Sequence, residues 1–481
     1  MDASKAINAL KEALPGSHLA LPGTEEYETL NTGTYMSGLC IDITPGAIFQ
    51  PKSKDEVAAF VRTIKPFVAS GDAAFAIVGG GRQPAPGCSN IQDGITLNLG
   101  LLKGVEVKDD VVSIGAGEQW GEVYDKLAPL GLGVSGSRSS KGGIAGLALA
   151  GGLSFNSSRQ GFICDDVVNY EVVLASGDIV NANADEHADL WRALRGGGNN
   201  FGVVTRFDMK TFKQGPLYGG SVFYFGPNFP GQIEALVSEV QKPDADPETH
   251  LMISLGYTAM LGTEVMAMNQ LYHMGGIEEP AVLEPFTSIQ PQIDQLNSLR
   301  VIQNLADASR EQTGDIPALQ RSAYMNLTVK ADVATLVAGS ETFKAALEPV
   351  KGLEGLVCSY TLQPYARSLL EASASKGGNS LGLHPSHGPV ISVAYLMYWK
   401  NKDDDEKILG AFRGALEKTT EDAKSRGTFI DFTYMNYSYT FQDPIGSYGA
   451  ANKKSLQEAS RKYDPEGIFQ KGVPGGWKLF T

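Results

Sequence analysis

Val57, Phe60, Val61 and Ile64 recur at helical spacing behind Ser53 and Glu56, a capping-box pair, and predict a helix. An apolar strand over 75–78 follows and runs straight into Gly79, Gly80, Gly81 and Arg82. A second strand is predicted over 95–99, then a hairpin from 105–107 and 111–114 about Asp109 and Asp110. A helix near 120–127 leads into the densest glycine region, 131–152. The strands 171–174 and 179–181 flank Ser176, Gly177 and Asp178, a good hairpin turn. A helix over 187–194 ends at Gly196, Gly197 and Gly198, and a strand over 202–207 follows.

Near residue 213 the pattern changes. Longer strands are predicted over 250–257, 264–272, 357–363 and 389–399, separated by helices near 233–240, 334–347 and 406–423. That alternation predicts a larger sheet backed by helices, so the fold class is α+β with two domains. An aromatic segment, 429–439, and a helix near 452–462 close the chain. Tyr434, Tyr437 and Tyr439 are expected to share one face if that segment is extended.

The 481 residues exceed what one compact core accommodates, in keeping with two domains. Forty Lys and Arg against 54 Asp and Glu leave a net charge of −14 and no basic run. Long-range attraction to nucleic acid or to an anionic membrane is therefore not expected. The four cysteines are far apart, and no HExxH occurs among the six histidines, so neither a metal site nor a disulfide framework is predicted. The N-terminal stretch lacks the apolar core of a signal peptide, which makes a cytoplasmic protein the expectation, with secretion open to a trimmed leader.

Two loops carry the candidate chemistry. One is Gly79-Gly80-Gly81-Arg82-Gln83, entered from the strand that ends at Val78. The other runs from Gly136 through Ser139 and Lys141 to Gly142, Gly143 and Gly146. Glycine permits positive φ and close approach to a ligand, and successive backbone N–H groups cradle phosphates. The alternative is that these glycines only make tight turns. Lys141 precedes the glycines, so the second loop is not a Walker A loop. The run from Gly196 to Gly202 has the wrong spacing for GxGxxG and follows a helix, which disfavours a Rossmann dehydrogenase.

Taken in order, these loops join further motifs. They are Gly143-Ile144-Ala145-Gly146, Asp165-Asp166-Val167-Val168, Leu190-Trp191-Arg192-Ala193-Leu194-Arg195-Gly196-Gly197-Gly198-Asn199-Asn200, Tyr434-Met435-Asn436-Tyr437 and Tyr463-Asp464-Pro465. The set resembles the berberine-bridge-enzyme-like branch of the vanillyl-alcohol-oxidase flavoproteins, most of all fungal FAD-linked oxidoreductases of secondary metabolism, over nearly the whole chain. The resemblance implies a PCMH-type FAD-binding domain from 1–212 plus 425–481 and a substrate domain over 213–424. It implies that Val78, Gly79, Gly80, Gly81, Arg82, Gln83, Ser139, Gly142, Gly143 and Gly146 hold FAD. Val203 and Val204 would lie against the adenine, and Asn436 and Tyr437 would reach the flavin. Family members often link the flavin to a His directly after the first glycines and to a Cys in the second loop. Here those positions are Arg82 and Ser139, so the resemblance implies noncovalent FAD.

A hydride acceptor needs a base beside it for the substrate's proton, and a Tyr, with a pKa near ~10, needs a positive neighbour to serve. Tyr434 and Tyr437 are the candidates, with His384, beside His387, as a third because imidazole titrates near ~6.5. Tyr395, Tyr398 and Trp399 sit on one strand; those that face the flavin are expected to line the pocket and the others to be core. The leading expectation is a two-electron oxidation (dehydrogenation or oxidative cyclisation) of a small secondary metabolite, with O2 as acceptor. The alternative is a non-redox cyclase or isomerase with FAD structural or absent. A carbohydrate oxidase and a non-catalytic binding protein rank below both.

Overall fold

The computed structural model describes residues 3–260, 262, 264–314 and 320–480. They form three sheets. The first has four strands in the order His18–Ala20, Ala47–Gln50, Ile95–Asn98, Phe75–Val78, the last three mutually parallel. The second is antiparallel, ordered Val105–Lys108, Val111–Gly115, Val203–Lys213, Val167–Val173, Ile179–Asn183, with Leu132–Val134 also paired to Val203–Lys213. The third is an eight-stranded antiparallel sheet: Arg300–Ile302, Leu217–Phe225, Met266–His273, Thr249–Thr258, Val357–Tyr365, Val390–Trp399, Arg321–Lys330, Phe429–Ile430. Among the described residues no helix is long and apolar enough to cross a membrane, and all four cysteines are free.

The predicted helix behind Ser53 is Lys54–Ala69, and Ser53 caps it by accepting from the Glu56 N–H at 3.2 Å. The other half of the expected box is shifted. Glu56 accepts from the Lys52 N–H at 2.8 Å, one residue earlier than a reciprocal box requires. This helix buries Val57, Phe60, Val61 and Ile64 in a first core that also takes in Trp120, Ile144, Leu456 and Ala459.

The second core lies between the third sheet and the helices Phe229–Gln241, Val333–Leu347 and Asp405–Ser425. Strand alternation decides which side chains enter it. Leu251, Ile253 and Leu255, Cys358, Tyr360 and Leu362, Ile391, Val393 and Tyr395, and Ala323, Met325 and Leu327 all face the helices. On the opposite face Met252, Tyr324, Gln363, Leu396 and Tyr398 line a cavity. The strands Leu217–Phe225 and Arg321–Lys330 are additions to those the pattern predicts. The first carries Gly219 and Gly220, which weaken its strand signal, and the second alternates Ala323, Met325 and Leu327 with polar residues.

The aromatic closing segment corrects an expectation. Met435–Tyr437 is a 3-10 turn, so Tyr434 and Tyr437, three apart, become neighbours with ring centroids at 5.1 Å. Tyr439 turns instead into the second core. In an extended strand residues three apart take opposite faces, so the helical turn is what joins the first two.

Arg195 pins the loop after helix Arg367–Ser375 onto the first part of the chain. It is 2% exposed and its guanidinium donates to the carbonyls of Lys376 (2.9 Å), Gly378 (3.0 Å), Val167 (3.0 Å) and Asp165 (3.3 Å), while lying 3.5 Å over the Trp191 ring. Arg195→Met should leave these carbonyls unpaired and lower unfolding stability by about 3 kcal/mol, read from urea denaturation.

Candidate active site

The two glycine loops meet backbone to backbone. A Cβ on Gly80 would stand 2.6 Å from the N and Cα of Gly143, and a Cβ on Gly143 would stand 2.5 Å from the N of Gly80. Neither position can carry a side chain without moving the other loop. Gly81 has φ +62°, and a Cβ there would lie 2.2 Å from the Thr34 carbonyl. Its own carbonyl accepts from the Met36 N–H at 3.0 Å. Gly146 is different: it lines the cavity, and a Cβ there would meet nothing within 4 Å. The bed of the cavity is thus closed at Gly80 and Gly143 and open above Gly146.

The closing segment locks both loops. The Gln83 amide donates to the carbonyls of Met435 (3.3 Å) and Asn436 (3.4 Å). The Asn436 amide donates to the Leu147 carbonyl at 3.2 Å, and its oxygen accepts from the Gly152 N–H at 3.3 Å. Asn326, on the third sheet, donates to the Tyr434 carbonyl at 3.0 Å and accepts from its N–H at 2.8 Å.

These contacts enclose a cavity of about 420 Å³, within the size range of small-molecule and cofactor sites. Gly79, Gly80, Gly81, Arg82, Gln83, Ser139, Gly142, Gly143, Gly146, Val203, Val204, Tyr434, Asn436 and Tyr437 all line it. Two expected residues do not. Val78 is buried behind the loop with Tyr35 and Cys40. His384 stands exposed on the turn before Pro385–His387, where its N–H donates to His387 Nδ1 at 3.0 Å. Of the strand aromatics, Tyr398 lines the cavity, while Tyr395 and Trp399 are core.

Tyr437 holds the best-defined polar position. Its hydroxyl oxygen accepts from Arg138 Nη2 at 2.7 Å and from Gln363 Nε2 at 3.3 Å. Arg138 is itself steadied by Met252 Sδ at 3.5 Å. The positive neighbour that a phenolic base needs is in place. Tyr434 makes no such hydrogen bond: burial, then the neighbouring Tyr437, pushes its hydroxyl well up, and the charge of Arg138 only opposes that rise. Tyr324, which sequence reasoning missed, stacks edge-on against Tyr437 (5.9 Å, 89°) and hydrogen-bonds the Tyr398 hydroxyl. Burial raises both of those hydroxyls, Tyr398 to about 12, and Arg82 opposes the rise. Arg82 donates from Nε to the Lys141 carbonyl at 3.0 Å, so the first loop grips the second. Ser139 shares a hydrogen bond with Thr313 at 3.0 Å. Three cavity-lining residues keep a buried polar atom without a protein partner: Ser89 Oγ, Gln312 Oε1 and Gln363 Oε1. The open Gly146 and these unpaired atoms fit a polar ligand larger than the substrate alone.

Residues 45–183 match the FAD binding domain family. Over its length the chain is 34% identical to an FAD-dependent monooxygenase of Cochliobolus heterostrophus, covering 98% of this chain and 92% of the relative. It is 36% identical to an FAD-dependent monooxygenase of Fusarium proliferatum, covering 91% and 85%. Among solved structures, glucooligosaccharide oxidase from Acremonium strictum, studied for its 6-S-cysteinyl, 8α-N1-histidyl FAD, superimposes with a TM-score of 0.79 at 19% identity, covering 99% and 98%. The 6-hydroxy-D-nicotine oxidase of Arthrobacter nicotinovorans does so with 0.75 at 18%, covering 94% and 96%. These likenesses establish the PCMH-type fold.

Gly80→Ala should force the loops apart and cost about 1–3 kcal/mol, whereas Gly146→Ala should change stability by under about 0.5 kcal/mol, both measured by urea unfolding of cofactor-free protein.

Proposed function

Because the chain belongs to the berberine-bridge-enzyme-like FAD-linked oxidoreductases, a family of flavoenzymes that includes fungal enzymes of secondary metabolism, we propose that it holds FAD without a covalent bond and oxidises a small secondary metabolite by two electrons with O2 as acceptor. The observation that carries this reading is the contrast between the closed Gly80–Gly143 contact and the open cavity wall at Gly146. Backbone N–H groups of Gly79–Gln83 would hold the pyrophosphate, with the loop through Ser139, Gly142 and Gly143 lining the cavity beside it. Val203 and Val204 would bear on the adenine, and Asn436 and Tyr437 on the flavin. Arg82 and Ser139 stand where covalent members carry His and Cys, and neither side chain forms a flavin bond. Among the described residues no histidine lines the cavity.

Bound FAD supplies an acceptor for two electrons and a proton. The chain supplies the rest. Tyr437 takes the proton from the substrate oxygen as its C–H is oxidised, and Arg138 stabilises the charge that passes through the phenol oxygen. Gln363 fixes the direction of that oxygen. Tyr434, whose hydroxyl burial holds well up, packs against Tyr437 and shapes the wall. His384 has no part, because it lies outside the cavity lining. Residues 1–212 and 425–481 serve as the FAD-binding part and 213–424 as the substrate part. The break between Val203–Lys213 and Leu217–Phe225, which belong to different sheets, supports that division.

A second reading has support in the relatives, which are named FAD-dependent monooxygenases: insertion of one oxygen atom from O2, which consumes a reductant as well. Product mass separates the two. Dehydrogenation gives a product lighter by two hydrogens and an equal amount of hydrogen peroxide without added reductant; oxygenation gives a product heavier by one oxygen and requires it.

Gly146→Leu should abolish FAD uptake, measured by flavin fluorescence quenching, because its side chain fills the open wall. Tyr437→Phe should keep full FAD content and lower kcat by about 10²–10⁴.

A further inference from the structure

The charge lining the cavity runs against that of the whole protein. The chain carries −14, yet among the described residues no Asp or Glu lines the cavity, and its charged side chains are two arginines, Arg82 and Arg138. Neither has a carboxylate within ion-pairing distance among the described residues. Arg82 donates to a backbone carbonyl. Arg138, 8% exposed, is spent on a thioether and a phenol. Both act on the same group of aromatics. Arg138 holds Tyr437; Tyr437 packs on Tyr324; Tyr324 bonds Tyr398; and the charge of Arg82 is felt at Tyr324 and Tyr398. Burial keeps the hydroxyls of Tyr324, Tyr398 and Tyr434 and the Cys88 thiol, raised to about 11, in their protonated forms. His250, two residues from Met252 on the same strand face, is held uncharged by burial and by Arg138. Two partly buried guanidinium groups with no carboxylate beside them are costly, and an anion completes such a site.

We propose that the substrate is a small aromatic acid that binds as its anion, its oxyanion lying between Arg82 and Arg138 against Tyr324, Tyr398 and Tyr437. The proposal rests on the flavoenzyme reading only in treating the occupant as the substrate. The charge preference itself belongs to the chain. Neutral polyols, which need paired donors and acceptors but no net positive wall, are poor candidates for this end of the cavity.

The test uses holoenzyme and three probes of similar shape: para-nitrophenol, para-nitrobenzoate and neutral para-nitrobenzamide. Binding is followed by the perturbation of flavin absorbance, and FAD content is measured on the same samples. At a pH where the acids are ionised, at least one anion should bind about tenfold or more tighter than the amide, the equivalent of one pKa unit. Preference for the phenol probe identifies a phenolate site, and preference for the benzoate a carboxylate site. The para-nitrophenol affinity should rise as pH passes through that probe's ionisation if it is the preferred one. Arg82→Gln and Arg138→Gln should each erode the discrimination severalfold, with affinity compared on the FAD-loaded fraction of each variant. Equal affinity for the three, preference for the amide, or no measurable binding of either anion overturns the proposal. So does loss of FAD in both variants with discrimination intact, which would assign the charges to the cofactor's phosphates. A protein that takes up no FAD but still prefers the anions, read by equilibrium dialysis, would refute the flavoenzyme reading and leave this inference standing.

Discussion

The backbone contact between Gly80 and Gly143 sets the geometry of everything around it. Each glycine lies where a Cβ on the other would fall, so the two loops can approach to a distance that no other residue pair allows. Around that contact the chain adds only directional locks. Arg82 reaches the Lys141 carbonyl, Gln83 reaches the closing segment, and Asn436 reaches back to Leu147 and Gly152. Three stretches, two of them joined by a contact 59 residues apart in sequence and the third by one 289 residues apart, thereby form one rigid floor. Rigidity matters because a cofactor bed held only by side chains would admit alternative positions, and a misplaced reacting atom costs rate steeply.

The third sheet serves as the facing wall by a simple division of labour. Alternate residues of four central strands feed the helix-backed core, and on the opposite face Met252, Tyr324, Gln363, Leu396 and Tyr398 line the cavity. One sheet thus supplies both stability and specificity, and a change on one face leaves the other in register. The buried Arg195, with four carbonyl partners, joins the loop after Arg367–Ser375 to the first part of the chain. It holds the two parts together without contributing charge to the cavity.

Much of this was legible in the sequence because it depends on local rules. Glycine runs directly after a strand, the Ser176–Asp178 turn and the helical period behind Ser53 each have a local cause. What escaped was set by distant contacts. Nothing local relates Arg138 to Tyr437, which lie 299 residues apart, and Tyr324 sits on a strand whose alternation of Ala323, Met325 and Leu327 with polar residues was available but overlooked. The extended reading of Tyr434 to Tyr439 failed on period: spacings of three and two cannot share a strand face, and the 3-10 turn settles the matter by bringing the first two together. His384 drew attention through its chemistry, and the exposed turn that carries it lies outside the cavity lining.

We propose that this glycine bed holds FAD with no covalent bond, Arg82 and Ser139 standing where linked members carry His and Cys. The most direct measurement is acid precipitation of the purified, FAD-loaded protein, followed by spectroscopy of pellet and supernatant. The expected result is a colourless pellet and all of the flavin, identified as FAD, in the supernatant. Yellow colour retained in the washed pellet would contradict it.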